Sequence, residues 1–184
     1  ERSNTMSNLL VQNIKHTNAT TAQTIDSTGR ILTPARPAFL AYLSATQSNI
    51  SNGNSYVTIQ FDSEVYDVGG VFNTSTYKFT APISGTYSVY AQARLQQIDT
   101  AADHLILSIL RTNSSGVEQE AWQNVIDPDQ FDTDSDYHTF FIQVADSFSA
   151  NDTAHVTVVQ GGGTSQVDVQ HYSKNSYFGG YLIG

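Results

Sequence analysis

Five aspartates fall within ten residues, at Asp127, Asp129, Asp132, Asp134 and Asp136. Calcium is held by several oxygens at about 2.3–2.6 Å, and alternating carboxylates in a loop are one way to supply them. Asp132, Asp134 and Asp136 alternate in that manner, so the segment is a candidate calcium loop. It departs from the EF-hand pattern: Tyr137 stands where the turn needs glycine, and Gln143 where a bidentate glutamate belongs. The bland alternative is a solvated acidic loop joining two strands.

Other chemistry finds less support. His16, His104, His138, His155 and His171 form no H-x-H or H-E-x-x-H metal pattern. His104, His138 and His155 each open a strand-like run and are expected to be satisfied edge residues. The chain has no cysteine, so thiol nucleophiles, disulfides and zinc knuckles are excluded. There is no G-x-S-x-G elbow, phosphate-binding loop or dinucleotide fingerprint. Paired carboxylates for glycoside cleavage would have to come from the aspartate-rich loop, which lacks the Glu and Trp usual in such clefts. Five N-x-S/T sequons, at Asn18, Asn49, Asn73, Asn113 and Asn151, are expected by chance in a chain so rich in Asn, Ser and Thr. The residues point to a binding module rather than an enzyme.

The elements that must carry these residues are strands. Ser and Thr supply 40 of 184 positions and Tyr and Phe another 19, a composition suited to pleated, half-buried surfaces. A net charge of −9 leaves no basic footprint for nucleic acid and would be repelled by an anionic membrane surface. No run of 18 apolar residues is present to span a membrane as a helix.

Met6 reads as a natural start, with Glu1–Thr5 a remnant ahead of it. The segment after Met6 has no basic or apolar leader, so assembly in a cytoplasm is expected. Residues 6–36 are rich in Thr, Asn, Ser and Gln, with apolar clusters at Leu9, Leu10, Val11 and Ile14 and at Ile25, Ile31 and Leu32. The stretch from Thr24 to Leu32 predicts a hairpin turning at Gly29, too small to be stable alone. Pro34 and Pro37 mark the boundary of this stem.

From Ala38 onward, strand-like runs recur every 10–15 residues between turn signals. They are expected at 39–43, 56–61, 77–79, 86–95, 104–110, 139–144, 155–160 and 177–183. Between Thr86 and Leu95, Tyr87, Val89, Ala91, Ala93 and Leu95 share one face, and Ser88, Gln92 and Arg94 the other. The near-continuous apolar run from His104 to Leu110 predicts burial on both faces. Asn113-Ser114-Ser115-Gly116 predicts a hairpin turn, and Gly161-Gly162-Gly163 a loop. Many short strands at regular spacing imply a sandwich or jelly roll.

Phe61, Asp67, Phe72, Phe79, Gly85 and Tyr87 follow one another with five, four, six, five and one residues in between. This spacing, with the run Phe79-Thr80-Ala81-Pro82-Ile83-Ser84-Gly85-Thr86-Tyr87, resembles the signature of the complement C-one-q globular-head family. The close Tyr177-Phe178-Gly179-Gly180-Tyr181-Leu182 is similar to the family's ending. Val144-Ala145-Asp146-Ser147-Phe148 stands where the family has a turn, and Val89 and Ala91 where it has aromatics. The resemblance covers about residues 37–184. It implies an all-β, ten-stranded jelly roll of the tumour-necrosis-factor type that assembles as a homotrimer, with no complement function implied. Phe61, Phe72, Phe79 and Tyr87 are expected between the sheets, and Gly85 in a turn with φ > 0. Tyr42, Tyr172, Tyr177 and Tyr181 are the candidates for the trimer interface. Related heads bind Ca2+ near the trimer apex, which adds to the calcium reading of the aspartate loop.

Residues 13–31 resemble stems of structural and tail-fibre proteins of bacteriophages, especially marine ones. The implied function is a virion protein: the stem joins other virion proteins, and the trimeric head binds a host-surface glycan or protein. The alternative is an extracellular adhesin or lectin-like recognition protein of a cellular organism, and a second alternative is a polysaccharide-degrading fibre enzyme.

Overall fold

The computed structural model describes residues 11–184. Glu1–Thr5, Met6, Leu9 and Leu10 lie outside the described residues. The chain divides between Arg36 and Pro37 into two compact units.

The first unit is a three-stranded antiparallel sheet of β1 (Asn13–Lys15), β2 (Thr21–Ile25) and β3 (Ile31–Leu32). Its β2–β3 turn is set by Asp26. That carboxylate accepts from the amides of Thr28 and Arg30 and from the Thr28 hydroxyl, and it pairs with Arg30 Nε at 2.7 Å. Gly29 takes the left-handed conformation with φ of 81°, as the hairpin reading requires. The Arg30 amide, the Thr28 hydroxyl and the Arg30 side chain, in that order, hold the Asp26 carboxyl down to about 2.

The second unit is a sandwich of two antiparallel sheets. Its strands are β4 (Ala38–Tyr42), β5 (Val57–Thr58), β6 (Ser63–Val68), β7 (Phe72–Asn73), β8 (Lys78–Thr80), β9 (Gly85–Ile98) and β10 (Ala102–Thr112). They continue with β11 (Glu118–Ile126), β12 (Ser135–Phe148), β13 (Thr153–Gly162), β14 (Asp168–Val169) and β15 (Tyr177–Leu182). One sheet runs β11-β10-β13-β8-β7, with β5 also on β13. The other runs β12-β9-β15-β4-β6, with β14 also on β9. Two short 3₁₀ turns, Pro128–Gln130 and Tyr172–Lys174, are the helical segments among the described residues. The all-β jelly-roll expectation is met.

Alternation decides which side chains fill the sandwich. Along β9, Tyr87, Val89, Ala91, Ala93 and Leu95 are fully buried. Val89 and Ala91, which replace aromatics of the resembled signature, are therefore core residues. In β10, Leu105, Leu107 and Ile109 point into the sandwich, while Ser108 and Leu110 are buried on the opposite side, so both faces are covered. The centre is an aromatic cluster. Phe39 stacks on Phe72 and Phe79, each at 5.1 Å, and meets Phe178 edge-on at 4.9 Å. Tyr87 and Phe148 continue it, 5.3 and 5.8 Å from Phe79. The Tyr87 hydroxyl donates to the Ile83 carbonyl at 3.0 Å, which satisfies the one polar atom this ring brings inside.

The remaining signature residues shape turns. Asp67 accepts from the amides of Val71 (2.8 Å) and Phe72 (3.1 Å), closing the Gly69-Gly70 turn ahead of β7. Gly85 is not in the left-handed region expected for it. A Cβ there would stand 2.7 Å from Leu182 Cδ1 and 3.0 Å from the Gly184 carbonyl, so glycine is needed for close approach of the chain end. The turn expected at 144–148 is also corrected: these residues are the last five of β12, paired with Val89 to Gly85. Gly161 and Gly162 belong to β13 rather than to a loop. Between 56 and 61 only Val57–Thr58 forms a strand, while β6, β7, β11 and β14 have no counterpart among the expected runs.

Candidate functional interface

Four neighbouring strands of the second sheet, β9, β15, β4 and β6, place a tyrosine field on its solvent side. The pleat sends Phe39, Ala41, Phe178, Val89 and Ala91 inward, so their neighbours point out. Register then groups side chains from distant parts of the chain. Tyr66 on β6 lies opposite Leu40 on β4, Leu40 opposite Gly179 on β15, and Gly179 opposite Tyr90 on β9. In the next row, Tyr42 lies opposite Tyr177 and Tyr177 opposite Gln92, which pairs with Phe141 of β12. Tyr181 lies opposite Ala38 and Ser88 in the third row.

Gly179 is the centre of this face. A Cβ at that position would stand 2.6 Å from Cζ and Oη of Tyr90, so the Tyr90 ring lies directly across the glycine backbone. Tyr90 and Tyr177 meet edge-on at 6.2 Å. Burial pushes the Tyr90 phenol above its ordinary value, with the Tyr66 hydrogen bond next and the nearby Tyr177 and Tyr181 phenols adding to it. Tyr66 and Tyr181 remain 42 % exposed, so the field is open to solvent in a single copy.

Of the four tyrosines predicted for an interface, Tyr42, Tyr177 and Tyr181 share this face. Tyr172 does not: it sits on the 3₁₀ turn before β15, tilted against His171 at 4.3 Å. Leu40, Tyr66 and Tyr90 belong to the face and escaped the sequence reading. Tyr90 was readable, since it alternates with Tyr87 and shares the phase of Ser88 and Gln92. Tyr66 was not, because nothing in the sequence marked β6 as a strand.

A second surface, of mixed polar and apolar lining, lies where β11 and β12, the edge strands of opposite sheets, come together. Trp122 and Val125 on β11 and Phe141, Ile142 and Val144 on β12 line an open groove there. Asn124 Nδ2 donates to the Phe141 carbonyl at 3.2 Å and spans it.

The five aspartates of the β11–β12 connection do not gather. Asp127 Oδ1 accepts from the Asp129 amide at 3.3 Å, at the head of the 3₁₀ turn. Asp134 Oδ1 accepts from the amide and hydroxyl of Thr100 at 3.0 and 2.8 Å. These bonds, the amide first, hold the Asp134 carboxyl below its ordinary value. Asp129 is pushed up, chiefly by the charge of Asp127 and less by that of Asp103. Asp132 and Asp136 are exposed. Among the described residues, no group of three or more His, Asp or Glu side chains is placed to hold a metal ion. Within one protomer, backbone amides take up the two loop carboxylates that point back at the fold.

The histidines expected at edges behave differently from one another. His104 Nε2 lies 3.0 Å from Asn54 Oδ1. His138 packs edge-on against Phe140 at 4.6 Å, and burial lowers its pKa. His104 on β10 and His155 on β13 both belong to interior strands of their sheet, so the edge reading is corrected for these two. The Nδ1 of His155 is buried without a hydrogen-bond partner, and burial, with Lys78 second, holds the ring down to about 4.

No family model and no curated protein matches the chain by sequence. Solved structures do match it. The globular domain of zebrafish complement 1qA protein is 17 % identical with a TM-score of 0.53, over 81 % of this chain and 98 % of that one. Murine APRIL is 9 % identical with a TM-score of 0.59, over 80 % of this chain and 99 % of that one. The fold is thus the jelly roll of the complement C-one-q and tumour-necrosis-factor type. At these identities the likeness establishes fold alone.

Proposed function

We propose that Pro37–Gly184 is the head of a homotrimeric binding protein, held together through the tyrosine face. The observation that carries this is the open field of Leu40, Tyr42, Tyr66, Tyr90, Tyr177 and Tyr181 on a rigid central sheet. Tyrosines of this kind bring large contact area at small entropic cost and are enriched at interfaces. The aromatic face and the β11–β12 groove are different surfaces, so a contact between them is head-to-tail, and such contacts make a ring when the rotation between copies closes. The trimeric state of complement C-one-q and tumour-necrosis-factor heads selects three copies. Loops at the ends of the sandwich would then be presented in triplicate, and avidity would strengthen weak contacts with a ligand.

Light scattering after size exclusion tests the assembly. A mass of three times 20.1 kDa is expected, and a monomer at all concentrations would overturn it.

The finer reading is a phage virion protein with residues 6–36 as its attachment stem. Its support is the resemblance of residues 13–31 to phage fibre stems. Mass spectrometry of purified particles from the source is expected to find the chain. Finding it only as a free extracellular protein would favour the adhesin reading instead.

A further inference from the structure

The second unit carries fifteen Asp and Glu against four Lys and Arg: Lys78, Arg94, Arg111 and Lys174. Arg111 spends its charge inside the protomer, paired with Asp146 at 2.7 Å. Arg94 and Lys174 have no carboxylate within ion-pair distance among the described residues. Each instead lies over a tyrosine, Arg94 4.1 Å from the Tyr137 ring centre and Lys174 4.4 Å from that of Tyr42. Both tyrosines stand on the solvent side of the sheet that bears the tyrosine field. The Arg94 amide donates to Ser176 Oγ, and Gln92 Nε2 donates to the Asn175 carbonyl, so the two cations occupy the same end of that face. In a chain this acidic, two unpaired cations at the rim of an aromatic surface call for an anionic partner.

The β11–β12 loop is placed to be that partner on another copy. It lies at the same end of the sandwich, since Asp134 holds Thr100 and Ser135 pairs with Ile98 at the top of β9. It also sits directly beyond the β11–β12 groove. We infer that Asp132 and Asp136 of one copy dock against Lys174 and Arg94 of the next, which fixes the level and direction of the ring. This rests on the proposed self-association through the tyrosine face. Rotation about an axis along the strands keeps like ends level, so a groove seated on a neighbouring face brings the acidic loop to the basic rim. A face-to-face pair about a twofold along the strands would set the cations against each other, and like charges disfavour it. The charges thus select the head-to-tail ring over the competing dimer.

The test is a charge-reversal cycle on the full chain, read by sedimentation over a concentration series. The wild-type mass tests self-association itself. Given a wild-type trimer, Arg94→Glu with Lys174→Glu is expected to raise the concentration of half-assembly at least about tenfold at physiological salt. Adding Asp132→Lys and Asp136→Lys to that variant restores opposite charge at every interface and is expected to bring assembly back to about threefold of wild type. Circular dichroism confirms folding, and Arg94→Gln with Lys174→Gln gives the same direction where the reversed pair folds poorly. A trimer indifferent to both face variants, or one that the compensating lysines do not restore, would overturn the inference while leaving self-association standing.

Discussion

Gly179→Ala tests whether the tyrosine face is the assembly surface. The added methyl would lie 2.6 Å from Cζ and Oη of Tyr90 and 2.7 Å from Cε2. Carbon atoms in contact sit at about 3.5–4.0 Å, so the ring must move by roughly 1 Å or swing off the strand. It is the far end of a partly buried side chain at the sheet surface, and the fold can yield there. The loss of monomer stability is therefore expected at the low end of the roughly 1–3 kcal/mol typical of overpacking. The interface cannot yield in the same way, because the displaced ring recurs at each of three identical contacts. With about 1.4 kcal/mol lost per contact, each association constant falls about tenfold, and the monomer–trimer constant about a thousandfold. The half-assembly concentration varies as the inverse square root of that constant, so it rises roughly 30-fold. Sedimentation velocity over a dilution series measures this, with a thermal melt in parallel. A variant that melts close to wild type and assembles at the wild-type concentration would refute the placement of the interface.

The same structure sets four other expected outcomes. Phe178→Ala removes the ring that meets Phe39 at 4.9 Å and Phe72 at 6.0 Å, and is expected to cost about 3–5 kcal/mol in denaturant unfolding; a loss below about 1 kcal/mol would mean the cluster is loosely packed. The Asp26 carboxyl is expected to titrate near 2 by NMR, so its support for the β2–β3 turn is present above its ordinary value of 3.8 and is lost as pH falls through 2; a midpoint near the ordinary value would count against the turn geometry. The His155 ring is expected to stay neutral down to about pH 4. Because its folded value is depressed, the folded state binds fewer protons than the unfolded chain between 6.5 and 4, and its contribution to stability falls as pH drops through that window. An NMR titration of His155 with a midpoint near 6.5 would show that the ring is not desolvated. Replacing Ca2+ by EDTA is expected to leave the melting temperature and solution mass unchanged, since no protomer gathers a metal cluster among the described residues; dissociation in EDTA would show that carboxylates from several copies share an ion.

The sequence by itself determined what short-range chemistry controls. Alternation along Thr86 to Leu95 gave the buried side of β9, and the spaced aromatics Phe61, Phe72, Phe79 and Tyr87 gave the core of a jelly roll. Asp26 with Gly29, and Asn113 with Gly116, gave their turns, because those hydrogen bonds close within four residues. Tertiary structure decided what register controls. Period two puts Tyr90 on the polar side of β9 with Ser88 and Gln92, but which residues of other strands lie beside it there is decided by register. Tyr66, Leu40, Gly179 and Tyr90 come from four strands, and their row exists because β15 inserts between β4 and β9. The chain end folds back on Gly85, so that glycine serves close packing rather than a turn. The aspartate run looked like a metal loop because spacing records where carboxylates occur in sequence. Their directions are another matter: Asp127 accepts locally from the Asp129 amide, whereas Asp134 is turned to the Thr100 amide, which only the fold brings within reach.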